Sequence, residues 1–405
     1  MNLLKEGIEL GYVIKTDRAK KLVIDGLSQT YPIYKVRLNH LFYNDQNDRI
    51  ATWISEYESK EVDSLDADKF TEEYNAIIQK FITNSNPEKL KQTQLNISLF
   101  GQQESGVVLS DGRIIDGNRR FTCLRNLSKN RDEFNYFETV ILDKNYEHDE
   151  KQIKMLELQI QIGKEERVDY DPVDRLVGIY RDIVAKKILT VEEYSRSINK
   201  KEADVRKELE IAQLMNEFLE TINAKGKYYL ARELKLDGPL RELQQILKRI
   251  KNEDKKEEIK NIAFVNMLAS PSKDITRFIR KLGTISTSKY VDDFTARELE
   301  ISEIIVDSLP NEKEMNSDAI AEIRADEEIK DILSRTMEKF ENKAKVSQTK
   351  NKPSQLLKKA IDNVSTIDME IIKHLSLEHK EDLKETLIEL EEEVNKLKEV
   401  LNIDD

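Results

Sequence analysis

Residues 111–127, DGRIIDGNRRFTCLRNL, contain the clearest structural signal in the chain. They overlap residues 106–115, GVVLSDGRII, in which an Asp-Gly pair separates two short apolar runs. Asp-Gly between apolar runs is typical of a β-hairpin. The chain then turns at Gly117 and continues into an apolar helix, for which Asn118 is the predicted N-cap. A hairpin followed by a glycine turn and a helix predicts an α/β domain.

The turn at Gly117 suits a phosphate group. The first turn of a helix presents free N–H groups and a partial positive charge. Arg119 and Arg120 lie in that turn, and guanidinium groups bind phosphate through paired hydrogen bonds. Glycine also lets a ligand approach the backbone closely. The alternative is a plain strand-to-helix turn whose arginines pair with surface acids.

The flanking segments extend the α/β pattern. Residues 31–42 alternate apolar and polar side chains, which predicts a strand, and residues 139–142 form a further strand candidate. Residues 1–30 are predicted to be a helical lead-in. After Lys151 helical periodicity dominates. We therefore expect an α/β (α+β) N-terminal part followed by an all-α region.

The composition narrows the class of protein. The chain has 405 residues, a formal net charge of −12, and only 12 Gly and 7 Pro, which argues against a turn-rich all-β fold. The sequence lacks a long apolar run and a secretory signal, so we expect a cytoplasmic protein without a membrane partner. No metal-ligand motif is predicted, because His374 and His379 are five residues apart and miss the helical i,i+4 spacing.

The segment 111–127 resembles the ParB/sulfiredoxin-type domain. ParB proteins carry a GERR-type turn that binds nucleotide phosphates, and related bacterial defence domains carry a DGQQR-type turn. The sequence DGNRR at residues 116–120 is similar to both. Upstream, NDQNDRI at residues 44–50 resembles an early Asn and Arg box of the family. The resemblance implies a site for a nucleoside triphosphate, CTP or ATP with Mg²⁺, formed by Gly117, Asn118, Arg119, Arg120, Asn47 and Arg49.

A downstream segment extends this resemblance. Residues 156–174, LELQIQIGKEERVDYDPVD, resemble the ParB segment that reads ENIQR and then DLNP. The resemblance implies metal or base contacts for Asp116, Gln159 and Gln161. Leu158 stands where the family has a glutamate that supports hydrolysis, and leucine can neither bind a metal nor orient a water molecule. Nucleotide hydrolysis is therefore expected to be slow or absent.

Residues 189–214 predict a helix-turn-helix. Thr190 and Glu193 have the spacing of a capping box, and Asn199 accepts the left-handed backbone of the turn. The segment is similar to the helix-turn-helix that follows DLNP in ParB proteins. The implied DNA contacts are Lys200, Lys201, Arg206 and Lys207. A helical hairpin that only packs or binds protein is the alternative, because DNA readers are usually more basic.

The sequence predicts six segments: residues 1–30 as lead-in, 31–165 as ParB-like domain, 166–218 with the helix-turn-helix, 219–344 as helical domain, 345–354 as linker, and 355–405 as C-terminal helices. The last segment carries a heptad seam typical of a coiled coil, formed by Leu383, Leu387, Leu390, Val394, Leu397 and Leu401. The seam could join two copies of the chain. Eleven acids against four lysines in residues 376–405 instead favour packing inside one chain, against Leu356, Leu357, Ile361 and Ile371.

Three functions fit these observations. The resemblance favours a ParB-like nucleotide-binding protein with a helix-turn-helix, acting as a DNA-associated switch or regulator. One alternative is an NTP-driven nuclease or phosphotransferase of the bacterial defence type, with Asp116 near the phosphate. The other is a non-catalytic interaction scaffold. The implied partners are a nucleotide, DNA, and a protein partner or a second copy of the chain.

Overall fold

A mixed β-sheet organises the N-terminal part of the protein. The computed structural model describes residues 2–24, 27–60, 71–143, 150–162 and 171–402, and six strands lie within these ranges. The strands are β1 (Val13–Ile24), β2 (Leu27–Arg37), β3 (Phe42–Tyr43), β4 (Gly106–Leu109), β5 (Arg113–Asp116) and β6 (Tyr136–Leu142). Their order is β1-β2-β6-β4-β5-β3; β4 pairs with β6 and β3 with β5 in parallel, and the other neighbours are antiparallel.

Helices cover both faces of this sheet. They are α1 (Glu6–Glu9), α2 (Ala51–Lys60), α3 (Glu72–Ser85), α4 (Pro87–Phe100), α5 (Asn118–Ser128) and α6 (Glu150–Ile162). Successive strand residues point to opposite faces. Ile114 therefore shares one core with Tyr74 of α3 and Phe121 of α5, whereas Ile115 shares another with Leu156 of α6. The predicted hairpin at residues 106–115 and the strand at 139–142 are confirmed, and the strand predicted at 31–42 is split between β2 and β3.

Helices form the rest of the chain. They are α7 (Pro172–Tyr180), α8 (Val191–Ser197), α9 (Glu202–Thr221), α10 (Tyr228–Glu233), α11 (Asp237–Leu247), α12 (Glu253–Ala269), α13 (Ile275–Ile285), α14 (Val291–Asp307), α15 (Ser317–Ala325), α16 (Glu327–Ser365), α17 (Met369–Lys373) and α18 (Leu377–Leu401). Their largest core buries Phe218, Phe264 and Phe294 completely or nearly so. The predicted change from α/β to all-α is confirmed. Within the described ranges, no helix is both long enough and apolar enough to cross a bilayer.

The prediction of a helical lead-in at residues 1–30 is wrong. Of its described residues only Glu6–Glu9 are α-helical, and β1 with the start of β2 occupies most of the remainder. β1 carries five charged side chains, and charges on an edge strand disfavour pairing with the edge of another sheet. Antiparallel pairing with the next strand, β2, supplies the stability that the sequence of β1 alone does not reveal.

The prediction of a linker at residues 345–354 is also wrong, because these residues lie inside α16. A polar segment without apolar periodicity can be an exposed helix as well as a loop, and Pro353 is accommodated within this one. The chain nevertheless divides nearby into two compact units, Met1–Asn342 and Lys343–Asp405.

The prediction that the heptad seam packs inside one chain is not met. No residue of α18 is buried, and Leu387 and Leu401 are 60% and 61% exposed. Ile361 and Ile371, two of the expected packing partners, are 66% and 61% exposed. In the described part of the second unit the stripe is therefore not packed into a buried core. Pairing with a second copy stays a prediction.

Candidate nucleotide site

The turn between β5 and α5 depends on one glycine. Gly117 has φ +105°, and it occupies the N-cap position of α5. A Cβ atom there would lie 2.8 Å from Cζ of Phe137 and 3.4 Å from Cα of Gly106. The prediction of Asn118 as the N-cap is therefore wrong by one residue, because the left-handed backbone at the turn favours glycine. The Oδ1 atom of Asn118 is buried and has no hydrogen-bond partner among the described residues.

Arg120 connects this turn to the loop before β4 through hydrogen bonds. Its Nη1 donates to the carbonyl oxygens of Glu104 at 2.8 Å and Ser105 at 3.3 Å. Its Nη2 donates to the carboxylate of Asp116 at 3.0 Å, and Nη1 lies 3.2 Å from the carboxylate of Glu104. These contacts give Arg120 a structural role.

Arg119 differs from its neighbour. It is half-buried, and none of the described residues forms a hydrogen bond or an ion pair with it. Burial lowers the pKa of Arg119, and the nearby positive charges of Arg49 and Arg120 lower it further. Clustered like charges in a desolvated position raise the free energy of the empty site. A bound anion would relieve this repulsion.

The turn opens onto a large cationic cleft of about 1880 Å³. Its basic lining residues are Arg18, Lys20, Lys21, Arg49, Lys89, Arg119, Arg120, Arg175 and Lys200. Its acidic lining residues are Asp48, Glu104, Asp116, Asp204 and Glu208. Nine cations against five acids leave an excess of four positive charges, in a protein whose net charge is −12. Such a local concentration of charge attracts anions to the cleft.

The upstream box reaches the same cleft. Asn47 and Arg49 both line it, at the 3₁₀ turn Asp48–Ile50. The Oδ1 atom of Asn47 accepts a hydrogen bond from the backbone N–H of Arg49 at 3.1 Å. Asn47 therefore shapes the turn that holds Arg49, and Arg49 supplies the charge.

A buried ion cluster lies directly behind this box. Nζ of Lys154 is 2.7 Å from Asp48, 3.4 Å from Asp182 and 3.5 Å from Glu157. Arg181 adds contacts of 2.6 Å to Asp48 and 3.0 Å to Asp182. Burial raises the pKa of Asp48, but the charges of Lys154 and Arg181 outweigh that effect and hold it below its ordinary value. Burial raises the pKa of Glu157 to about 7. When Glu157 holds a proton, the two cations of the cluster are matched by two carboxylates and its net charge is zero.

The positions implied for metal or base contacts are only partly available. Leu158 lies in an apolar cluster with Tyr194 and Val205. Gln159 lines the cleft, whereas the side chain of Gln161 lies outside the described residues. Glu157, the carboxylate next to Leu158, belongs to the buried cluster.

The residues beside the turn do not form a magnesium site of their own. Asp116 and Glu104 both pair with Arg120, and the described part of the chain contains no group of three or more His, Cys, Asp or Glu that could hold a metal ion. A divalent ion would therefore depend on the phosphates of its ligand for coordination.

The predicted helix pair is present at α8 and α9. The capping box of Thr190 and Glu193 is confirmed, and Asn199 adopts the left-handed backbone at φ +49°. Among the implied DNA contacts, the residues Lys200, Lys201 and Lys207 are exposed, and Arg206 is 3.1 Å from Glu202. Of these four residues Lys200 alone also lines the cleft that contains Arg119, so the two predicted sites adjoin at this lysine.

The sequence analysis missed the contribution of β1 to this cleft. Arg18, Lys20 and Lys21 line it, yet they lie in the segment predicted as a helical lead-in. The available signal was a run of four cations between residues 15 and 21.

Comparison of the sequence with protein-family models and with curated proteins finds no match. The similarity to the ParB/sulfiredoxin-type domain therefore depends on the motifs alone.

Proposed function

We propose that the protein is a ParB-like regulator that binds a nucleoside triphosphate at the turn of residues 117–120 and contacts DNA through α8 and α9. The observation that carries this proposal is Arg119, a half-buried guanidinium without a described partner, close to Arg49 in a cationic cleft. A phosphate group supplies a negatively charged partner for Arg119. The free N–H groups at the start of α5 add hydrogen bonds to the same phosphate.

The shared cleft also couples the two ligands. Lys200 belongs both to the α8–α9 turn and to the lining of the cleft. A bound triphosphate places negative charge near this lysine and reduces its attraction for a DNA phosphate. Because binding free energies are reciprocal, DNA then weakens nucleotide binding by the same factor. Nucleotide binding therefore lowers the affinity of the protein for DNA.

Nucleotide binding is tested by thermal unfolding of the full chain with CTP, ATP, GTP and UTP, each with Mg²⁺. A ligand that binds the folded state raises the unfolding temperature. Arg119→Gln should weaken binding about 10- to 100-fold, the value of one charge-assisted hydrogen bond. Arg196→Gln is the matched control, because Arg196 is exposed on α8 and pairs with Glu192. The proposal fails if wild type binds no nucleotide, or if Arg119→Gln binds as tightly as the control.

DNA binding is tested by fluorescence anisotropy over a range of salt concentrations, with and without the nucleotide. Each lost phosphate contact should reduce the salt slope by about one, so Lys200→Gln combined with Lys207→Gln should flatten it. The nucleotide should weaken DNA binding by wild type. A wild-type protein that binds no DNA at low salt would favour the interaction scaffold instead.

Hydrolysis should be slow. Leu158 is buried in an apolar cluster, and Glu157 is engaged with Lys154, so neither side chain can orient a water molecule at the turn. A bound Mg²⁺ would neutralise charge on the phosphates. We expect turnover below about 1 per second, near the low end of enzyme rates. Faster turnover would favour the nuclease or phosphotransferase alternative.

A further inference from the structure

The buried ion cluster behind the cleft has one more carboxyl group than it has cations. Its two cations, Lys154 and Arg181, face the carboxyl groups of Asp48, Glu157 and Asp182. The three acidic residues are each at most 4% exposed, so water screens their charges poorly. The cluster is therefore negatively charged when all three acids are ionised and neutral when one of them holds a proton.

Glu157 is the member of the cluster that exchanges a proton near neutral pH. Burial raises its pKa to about 7, Asp48 and Asp182 act in the same direction, and the two cations oppose them. Asp48 differs, because the charges of Lys154 and Arg181 hold its pKa below the ordinary value. The protonation of Glu157 therefore decides the net charge of the cluster.

Further elements that pack on α6 are β1, β5 and α8. The charged side chains of β1 lie at the exposed surface or line the cleft. The charged side chains of β5 and α8 form ion pairs of their own, which are Arg113–Asp111, Asp116–Arg120, Glu192–Arg196 and Glu193–Lys151. The charges that face Glu157 are therefore those of the cluster itself.

The cluster adjoins the anion site through Asp48. Asp48 precedes Arg49 in the same 3₁₀ turn, and both residues line the cleft. Arg49 in turn acts on Arg119, whose pKa it lowers. In a protein, a unit charge at a distance of about 10 Å changes the affinity for an ion several-fold. A change of charge in the cluster therefore affects an anion bound at Arg119.

We propose that Glu157 is a positioning residue of this anion site and links anion binding to the uptake of one proton. The protonated, neutral cluster favours an anion at Arg119, whereas the ionised cluster repels it. Ionised Glu157 also competes with Asp48 for the ammonium group of Lys154. The proton comes from solvent and returns to it when the anion leaves. This inference rests on the anion site of the proposed function and adds its regulation by pH.

The test is calorimetric titration of the full chain at pH 6 and pH 8, first with sulfate and then with CTP and ATP. Sulfate keeps its charge over this range, whereas a phosphate group gains charge near about pH 6, so sulfate reports on the protein alone. Wild type should bind sulfate about 3- to 10-fold more tightly at pH 6 than at pH 8. Titrations at pH 7 in two buffers of different ionisation enthalpy should show proton uptake, and this measurement needs no variant.

Glu157→Gln keeps the cluster neutral and should bind sulfate with the same affinity at both pH values. Glu298→Gln is the matched control, because Glu298 is also a buried carboxyl group with a pKa of about 7 but does not line the cleft. The control should keep the pH dependence of wild type. Equal unfolding temperatures of Glu157→Gln and wild type at pH 6 show that the variant is folded.

The outcomes separate this inference from the proposed function. If nucleotides bind but wild type takes up no proton, or if Glu157→Gln keeps the pH dependence of the control, the inference is wrong while the nucleotide site stands. If sulfate binds with a pH dependence that Glu157→Gln removes but no nucleotide binds, the inference is right and the nucleotide proposal is wrong. If neither sulfate nor a nucleotide binds, both are wrong.

Discussion

Glu298 is a carboxyl group enclosed in the core of the helical region. Its side chain is fully buried, and its Oε2 accepts a hydrogen bond from Nδ2 of Asn266 at 3.1 Å. The other oxygens of the two side chains, Oε1 of Glu298 and Oδ1 of Asn266, are buried without a partner among the described residues. Burial raises the pKa of Glu298 to about 7. Protonation would remove the buried charge and give Glu298 an O–H donor.

We predict that this group makes stability depend on pH. The folded pKa lies above the unfolded value of about 4.3, so the stabilisation is complete below that pH and is lost as pH rises through about 7. Urea unfolding should therefore show a less stable wild type at pH 8 than at pH 6. Each unit by which the pKa is raised corresponds to about 1.4 kcal/mol at most. Glu298→Gln cannot ionise and should lose this part of the pH dependence; an identical pH dependence in both proteins would contradict the assignment.

A substitution at Gly178 of α7 tests whether the buried ion cluster is rigid. A Cβ atom at this position would lie 2.6 Å from Cγ of Asp48 and 2.8 Å from both of its carboxylate oxygens. Gly178→Ala should therefore displace Asp48 from Lys154 and destabilise the protein by about 1–3 kcal/mol. Gly283→Ala in α13 is the control, since its nearest contact is 3.3 Å from a side-chain carbon, and it should stay within about 1 kcal/mol of wild type. Equal chemical-denaturation midpoints for the two variants would count against a rigid cluster.

The role of a single residue can depend on contacts that the sequence does not reveal. The motif at residues 116–120 predicted the turn and both arginines, because the glycine and the helix start are local features. It could not distinguish Arg119 from Arg120. That distinction comes from the carbonyls of residues 104 and 105, which tertiary packing brings to Arg120.

At the scale of elements, the β5–α5 turn is held by conformation and by packing together. Gly117→Ala should be destabilised by the backbone conformation and by a steric clash, because φ is +105° and the new Cβ would lie 2.8 Å from Phe137. Gly101→Ala is the matched control, with φ +72° and no atom within 4 Å of its Cβ. The control should lose about 1–2 kcal/mol from the left-handed backbone alone. We expect Gly117→Ala to lose more stability in urea titrations and to lose phosphate affinity, and equal losses would show that packing against Phe137 is unimportant.

The elements that sequence analysis placed correctly are those with strong local signals. The hairpin has its Asp-Gly pair, and α8 has its capping box. β1 lacks such a signal, because its charged side chains face solvent or the cleft and its partner β2 supplies the pairing. Because β1 was predicted to be helical, the predicted site did not include Lys20, which lines the cleft.

At the scale of the whole molecule, α18 presents an apolar stripe that the described residues of its own unit do not cover. In heptad notation Leu383, Leu390 and Leu397 occupy d, and Leu387, Val394 and Leu401 occupy a. A β-branched residue at a with leucine at d favours two parallel strands. Glu393 then occupies g and Lys398 the following e, positions that attract each other between parallel helices. The acidic excess of residues 376–405 disfavours pairing of two helices, but the attraction between Glu393 and Lys398 favours it.

We predict that the full chain forms a parallel dimer through this stripe. Leu390→Lys combined with Leu397→Lys places two charges in each copy of the seam and should abolish the dimer, because a buried unpaired ammonium is costly. Ile388→Lys is the matched control, since Ile388 is 56% exposed on the same helix and lies outside the a and d positions. Sedimentation equilibrium should find dimers for wild type and the control, and monomers for the double variant. A monomeric wild type would contradict the prediction, as would a control variant that dissociates to the same extent as the double variant.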